Sequence, residues 1–122
     1  KITETIFENR MNHVELLNQM GSSITLKDNV AHINGVKKLR GMTLVGLDLR
    51  SSAALIIAAL TSKSVSHIYG LEHLDRGYEN FELKLSQLGI QIKRQTTKNN
   101  KSKTFHKNSN LSEENKSQIR AA

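Results

Sequence analysis

The 122-residue sequence contains no cysteine, and aromatic residues make up only 4% of it. Without cysteine the chain has no disulfide, no thiolate metal ligand and no cysteine nucleophile of its own. The longest apolar run, residues 53–60, is far shorter than the ~20 residues of a membrane-spanning helix. No signal segment is visible either. We therefore expect a cytoplasmic protein with no membrane partner.

Patterns typical of metal-dependent or serine-dependent enzymes are also missing. The five histidines do not have the spacing of a metal site, so we expect them to be surface or packing residues. Ser51 and Ser52 lack the histidine and carboxylate partners that a nucleophilic serine needs, and we interpret them as residues of a helix's first turn. The sequence thus predicts neither a bound metal nor a serine-based mechanism.

The net charge of +7 is unevenly distributed along the chain. Residues 95–122 contribute +4 of it, from six basic and two acidic residues, and only isolated apolar residues occur there. Such a segment buries too little apolar surface to offset the entropy of ordering, so we expect 1–94 to be the folded part and 95–122 to be a disordered basic tail. Because 1–94 has no basic stripe with interleaved aromatic residues, we expect no nucleic-acid partner.

Turn residues and apolar spacing predict three elements in the first third of the chain. A strand covers residues 1–6, a helix runs from an Asn12 cap to a stop at Gly21, and a hairpin turns at Asp28 and Asn29. The strand begins at the first residue, with no methionine before it. We therefore expect the chain to be a fragment of a longer protein.

The rest of the folded part centres on residues 49–60, which are apolar on nearly every face and predict a buried helix. A strand at 64–69, a helix that ends at Gly89 with Tyr78 and Phe81 in the core, and a closing strand are predicted to follow. This order of elements predicts an α/β fold in which helices are layered on sheets.

Two arginines follow polar turns where helices are predicted to begin, Arg50 after Asp48 and Arg76 after Asp75. Guanidinium groups bind carboxylates and phosphates bidentately, and free N–H groups of a helix's first turn add positive potential at the same place. The pattern predicts a pocket for a small, doubly anionic molecule. The alternative is that each arginine pairs with the aspartate beside it on a solvated surface.

Three separated motifs resemble one enzyme family in order and spacing: residues 3–10 (TETIFENR), 48–55 (DLRSSAAL) and 73–79 (HLDRGYE). They are similar to the C-terminal portion of the UDP-N-acetylglucosamine 1-carboxyvinyltransferases, the enolpyruvyl transferases of bacterial peptidoglycan synthesis. The resemblance implies part of an inside-out α/β barrel whose substrates, phosphoenolpyruvate and UDP-N-acetylglucosamine, bind between two domains. It also implies enolpyruvyl transfer to the sugar 3-hydroxyl with release of phosphate, no cofactor, and a monomeric parent protein.

The same resemblance implies roles for four charged residues. Arg50 and Arg76 correspond to arginines that contact phosphoenolpyruvate, and Arg10 corresponds to a third arginine near its carboxylate. Asp48 and Arg76 correspond to residues of the reacting centre. The role implied for the aspartate is to orient an arginine or to relay a proton.

The first motif supplies the side of the site that faces the UDP-sugar. Ile6 falls where the family's backbone meets the nucleotide sugar, and Phe7 helps to form that wall. Leu47 and Arg40 depart from the family's usual residues without removing a named role. The family's reactive cysteine or aspartate, phosphate-binding lysine and further carboxylate lie upstream of the matched portion, so we expect the chain alone to be inactive.

Two alternatives stay open at this point. The chain is a fragment of the sister family that makes 5-enolpyruvylshikimate 3-phosphate by the same chemistry, or it is a non-catalytic remnant that binds anionic partners through its basic tail.

Overall fold

The computed structural model of the chain describes residues 1–96 and 103–107, which form two small sheets and four helices. In chain order the elements are β1 (Ile2–Thr3), α1 (Val14–Gln19), β2 (Ser23–Lys27), β3 (Val30–Asn34), β4 (Thr43–Val45), α2 (Leu49–Thr61), β5 (His67–Tyr69), α3 (Leu71–Leu74), α4 (Phe81–Gln87), β6 (Ile92–Thr96) and β7 (Lys103–Lys107). The predicted α/β class is confirmed, whereas the inside-out barrel stays a prediction. Among the described residues, no helix is long and apolar enough to cross a membrane.

The first sheet is antiparallel and has the strand order β1-β3-β2. β2 and β3 form the predicted hairpin, and Asp28, with a φ of 52°, takes the left-handed conformation that a tight turn needs. β1 is shorter than the strand predicted at residues 1–6. The Glu4 carboxylate accepts hydrogen bonds from the amides of Ile6 and Phe7, and these bonds turn the chain out of the sheet.

The second sheet has the strand order β4-β5-β7-β6. β4 and β5 are parallel, an arrangement that requires a crossover connection, and α2 supplies it. The prediction of a buried helix here is confirmed, with Ile57 as an exposed exception. The core that α2 shares with β4, β5, α3 and the end of α1 consists of Met20, Leu44, Ala53, Leu55, Ile56, Ala58, Ala59, Ile68, Leu71 and Leu74.

The start of α1 differs from the prediction. The helix begins at Val14 after His13, and no side chain caps it. Asn12, the predicted cap, instead donates a hydrogen bond from Nδ2 to Asp48 Oδ2 at 2.9 Å. A partner that is distant in sequence therefore takes the side chain that local sequence assigns to the helix end.

The region of α3 and α4 also differs. The four-residue α3 was not predicted, because one helical turn is too short to show a period. α4 begins only after Asn80, so Tyr78 lies outside the helix and is exposed, and its predicted place in the core is wrong. Phe81 does pack against the core, and its ring centroid lies 5.1 Å from that of Tyr78.

The segment that was predicted to be disordered contains strand structure in two places. β6 extends to Thr96, and β7 pairs antiparallel with both β5 and β6. The prediction is therefore wrong for residues 95–96 and 103–107, because backbone hydrogen bonds along β5 and β6 order strands that have little apolar content. Residues 97–102 and 108–122 of the predicted tail lie outside the described residues.

Candidate anion-binding site

The start of α2 is capped by the side chain of its N-cap residue, Asp48. Asp48 Oδ1 accepts hydrogen bonds from the amides of Arg50 and Ser51, both at 2.9 Å, and Ser51 Oγ accepts one in return from the Asp48 amide at 2.8 Å. This reciprocal capping box satisfies amides that were predicted to be free for an anion. That prediction is corrected: an anion at this corner depends on side chains for its binding.

Neither Arg50 nor Arg76 pairs with the aspartate beside it. Both residues are exposed, and neither makes an ion pair within the described residues. Asp75 instead accepts a hydrogen bond from Arg94 Nη2 at 2.8 Å. The alternative interpretation of the two motifs, as surface arginine–aspartate pairs, is therefore wrong, and both guanidinium groups are available to a ligand.

The glycine after Arg76 brings that arginine to the start of α2. A Cβ atom at Gly77 would lie 2.7 Å from Leu49 Cδ2, so the two segments can approach this closely only because residue 77 has no side chain. Leu49 is the first residue of α2 and the immediate neighbour of Arg50. The segments that carry the two arginine motifs therefore lie against each other at Gly77 and Leu49.

Two further glycines fix the ends of β4 and β5 beside the first turn of α2. A Cβ atom at Gly46 would collide with the Ser52 side chain. Gly70 has a φ of +77°, and a Cβ atom there would lie 2.5 Å from the Gly46 carbonyl oxygen. The Gly46 amide also donates to the Tyr69 carbonyl at 2.9 Å. The first turn of α2 is therefore set directly against the sheet.

Arg10 belongs to a third segment, the loop between β1 and α1, which reaches the same corner. The hydrogen bond from Asn12 to Asp48 ties the end of this loop to the N-cap of α2. Arg10 Nε lies 3.2 Å from Glu4 Oε2, and the guanidinium carbon lies 4.2 Å from the centroid of the Phe7 ring. Three arginine-bearing segments thus converge on the start of α2.

Ile6 and Phe7 are both exposed on this loop, by 75% and 52% respectively. The Ile6 amide donates to Glu4 Oε1 at 2.8 Å, so a ligand would meet the Ile6 carbonyl or its apolar side chain. Phe7 presents its ring to the Arg10 guanidinium, an arrangement that the motif did not indicate. The exposed apolar wall expected from the first motif is compatible with these positions.

Asp48 is an ionised carboxylate at neutral pH. Partial burial is the largest single effect and acts to raise its pKa, whereas hydrogen bonds from the Ser51 amide and the Asn12 side chain act to lower it. The amide and the charge of Arg50 act in the same direction, so that the pKa of Asp48 lies below its ordinary value of 3.8. Such a group is suited to holding hydrogen-bond donors in place.

Sequence reasoning missed two residues of this site, Glu4 and Asn12. Glu4 had a visible signal, since it is an acidic residue in the same short loop as Arg10. Asn12 had none, because its partner Asp48 lies in a different motif and only the fold brings them together.

The arrangement is suited to binding a small anion that carries more than one charged group. Guanidinium groups present several donors in a fixed plane, which matches both carboxylate and phosphate oxygens. Within the described part of the chain, no group of three or more histidine, aspartate or glutamate side chains is placed to hold a metal ion. The guanidinium groups themselves support one kind of chemistry, the stabilisation of negative charge.

Comparisons with known proteins agree on one family. Residues 1–85 match the family described as EPSP synthase (3-phosphoshikimate 1-carboxyvinyltransferase). A UDP-N-acetylglucosamine 1-carboxyvinyltransferase of Prochlorococcus marinus subsp. pastoris (strain MED4) is 82% identical over 100% of the chain and 27% of its own length. The protein of the same name from Prochlorococcus marinus (strain MIT 9515) is 66% identical over 90% of the chain and 25% of its own length.

A more distant relative has a similar name. UDP-N-acetylglucosamine 1-carboxyvinyltransferase 1 of Legionella pneumophila (strain Lens) is 49% identical over 75% of the chain and 18% of its own length. The chain thus spans about a quarter of the length of the curated relatives that match it over most of its residues.

Proposed function

The chain belongs to the EPSP synthase (3-phosphoshikimate 1-carboxyvinyltransferase) family, and on that basis we propose that it is part of an enolpyruvyl transferase acting on UDP-N-acetylglucosamine. The reaction moves the enolpyruvyl group of phosphoenolpyruvate to the sugar 3-hydroxyl and releases phosphate, as the first committed step of peptidoglycan synthesis. The approach of the three segments that carry Arg10, Arg50 and Arg76 to the start of α2 supports the proposal. The names of the relatives favour the UDP-sugar over shikimate 3-phosphate as acceptor.

The chemistry of phosphoenolpyruvate explains why several arginines are needed. Its carboxylate and phosphate are attached to the same carbon, and elimination of phosphate after addition to the double bond shifts an electron pair onto the departing phosphate oxygen. Fixed guanidinium groups stabilise such a shift without reorganising. Arg50 and Arg76 bind phosphoenolpyruvate in this proposal, and Arg10 approaches its carboxylate. The exposed Ile6 and Phe7 form a wall against the UDP-sugar.

Asp48 acts by orientation in this proposal. A carboxylate whose pKa lies below its ordinary value holds no proton at neutral pH and is a poor general acid there. Its two oxygens bind the amides of α2 on one side and Asn12 on the other, so Asp48 fixes Arg50 relative to the Arg10 loop. A cytoplasmic location, a monomeric parent protein and the absence of a cofactor remain predictions.

The test uses a full-length chimaera in which this chain replaces the matching segment of the 82%-identical Prochlorococcus marinus relative. Phosphate release from phosphoenolpyruvate is measured with UDP-N-acetylglucosamine or with shikimate 3-phosphate. We expect release with the UDP-sugar only, and a loss of about 100-fold or more in kcat/KM in Arg50→Ala and in Arg76→Ala. Arg40→Ala removes an exposed arginine outside the site and serves as the matched control.

The other outcomes separate the alternatives. Release with shikimate 3-phosphate in place of the UDP-sugar would assign the chain to the sister activity. A folded chimaera that releases no phosphate with either acceptor would favour the interpretation of the chain as a non-catalytic remnant. The 122-residue chain by itself is expected to release none, because it spans about a quarter of its relatives' length.

A further inference from the structure

The carboxylate of Glu4 makes three contacts within the loop that carries Arg10. Its Oε1 accepts hydrogen bonds from the amides of Ile6 at 2.8 Å and Phe7 at 3.2 Å, and its Oε2 lies 3.2 Å from Arg10 Nε. The Glu4 side chain is only 9% exposed although the loop around it is largely open to solvent. Both carboxylate oxygens are thus engaged in shaping this loop.

Glu4 is itself held by the first sheet. Its amide donates to the Asn29 carbonyl at 2.9 Å, directly after the pairing of β1 with β3. The carboxylate therefore projects from a fixed backbone, and its contacts relate the position of the loop to that of the sheet.

The contacts of Arg10 leave one part of its guanidinium group open. Nε faces Glu4, and one face of the guanidinium plane covers the Phe7 ring at 4.2 Å. The two terminal nitrogens make no hydrogen bond or ion pair with the residues that the structure describes. A guanidinium with an ion-pair contact at Nε and an aromatic ring against one face presents this terminal pair as a bidentate donor for a carboxylate.

We propose that Glu4 is a positioning residue, which holds the Arg10 guanidinium in the orientation that receives the carboxylate of phosphoenolpyruvate. The inference rests on the proposed function, because it takes the ligand of Arg10 from it. An unrestrained arginine loses side-chain entropy when it binds a ligand, and restraint before binding removes part of that cost. Glu4 therefore contributes to substrate affinity through Arg10.

The charge that this role requires is present at neutral pH. The hydrogen bond from the Ile6 amide lowers the pKa of Glu4, and it outweighs the opposing effect of burial. The Phe7 amide and the Arg10 charge lower the pKa further, so that it lies below its ordinary value of 4.5. Glu4 is thus ionised wherever the reaction is assayed near neutrality.

A double-mutant cycle in the full-length chimaera tests the inference. Glu4→Gln keeps the size of the side chain and an oxygen for the two amides, but it removes the charge that faces Arg10. We expect Glu4→Gln to raise the KM for phosphoenolpyruvate about tenfold, with kcat changed less than about twofold. In the Arg10→Ala background the same change should have no further effect. Glu15→Gln, an exposed residue of α1, is the matched control.

Two kinetic outcomes would overturn the inference. Glu4→Gln that behaves like Glu15→Gln would show that Glu4 does not affect substrate binding. Equal effects of Glu4→Gln with and without Arg10 would show that Glu4 supports the fold and does not act through Arg10.

A measurement that needs no catalysis separates this inference from the proposed function. The pKa of Glu4 is followed by nuclear magnetic resonance in the 122-residue chain, and Arg10→Ala is expected to raise it toward the ordinary value. A Glu4 pKa that Arg10→Ala does not change would reject the Glu4–Arg10 contact itself. If Arg10→Ala does change the Glu4 pKa but the unsubstituted chimaera is inactive, the contact is retained and its role in binding phosphoenolpyruvate is rejected.

Discussion

The two sheets of this chain differ in what stabilises them. The β4-β5-β7-β6 sheet lies against α2 and α3, and its core includes the fully buried Leu55. The β1-β3-β2 sheet leaves three apolar side chains on one face 51%, 44% and 47% exposed, namely Ile2, Leu26 and Ile33. Apolar packing therefore determines the geometry of the β4-β5-β7-β6 region, the packed region, whereas backbone pairing and a few polar contacts determine that of the β1-β3-β2 region.

This difference extends to the arginines of the candidate site. Arg50 and Arg76 belong to the packed region, where glycine contacts with α2 set the backbone. Arg10 belongs to the sparsely packed region, where the Glu4 carboxylate and the Asn12–Asp48 hydrogen bond hold it. The candidate site is therefore held by apolar burial on one side and by ionic and hydrogen-bond contacts on the other.

Truncation of one leucine in each sheet region should show the largest difference in stability. Leu55→Ala should lower the free energy of unfolding by about 2–5 kcal/mol, since it leaves a cavity in the core around α2. Leu26→Ala should cost about 1 kcal/mol, because nearly half of that side chain is already exposed. Urea denaturation of both variants measures the two values. Equal losses would break the distinction between the two sheets.

Alanine substitutions of two glycines should give the next largest contrast. A Cβ atom at Gly46 would collide with the Ser52 side chain and lie 3.0 Å from its Cα, so Gly46→Ala should cost about 1–3 kcal/mol. No atom lies within 4 Å of a Cβ built at Gly35, and Gly35→Ala should change stability by about 0.5 kcal/mol or less. Thermal denaturation compares them. A harmless Gly46→Ala would mean that β4 is not set against α2.

Substitution of the N-cap tests whether the two regions are linked. Asp48→Ala should cost about 1 kcal/mol, while Asp48→Asn keeps a capping oxygen and should cost less. Because Asp48 also accepts from Asn12, Asp48→Ala should speed amide hydrogen exchange in the Arg10 loop, at Ile6 for example. Faster exchange confined to α2 would contradict that link.

The smallest effect concerns pH and the packed region alone. Burial lowers the pKa of His67 from its ordinary value of 6.5, so the unfolded chain binds a proton before the folded chain does as the pH falls. The contribution of neutral His67 to the free energy of unfolding is therefore complete above pH 6.5. It is lost as the pH falls from 6.5 through the lower pKa of the folded state. His67→Asn should flatten the decline of unfolding free energy between about pH 7 and 5 relative to the unsubstituted chain. Equal pH dependence in the variant and the unsubstituted chain would show that burial of His67 does not contribute to it.

Elements that depend on local information could be predicted from the sequence. The hairpin has its turn residue Asp28 between alternating strands, and α2 has a continuous apolar surface after a capping aspartate. The arginine motifs were visible for the same reason, since each is a short run with its own turn. Local patterns therefore identified the main helix and the hairpin, and they supplied the charged groups of the candidate site.

Features that depend on contacts between distant segments could not be predicted. Asn12 has the residue type of a helix cap, but the fold places Asp48 within its reach. Tyr78 has helical spacing with Phe81, yet Gly77 is held against Leu49 and the helix begins only after that contact. β7 has little apolar content, and it is ordered by the strands beside it. In each case a tertiary partner overrides the local preference.

The capped start of α2 has a consequence for the ionic strength of the medium. Because Asp48 already accepts the Arg50 and Ser51 amides, an anion at this corner is bound mainly by exposed guanidinium groups. Dissolved ions screen such charges over a Debye length of about 8 Å at physiological ionic strength. Under the proposed function, added electrolyte should therefore weaken anion binding here and hasten the departure of phosphate, and the effect should grow with the number of arginines that contact the anion.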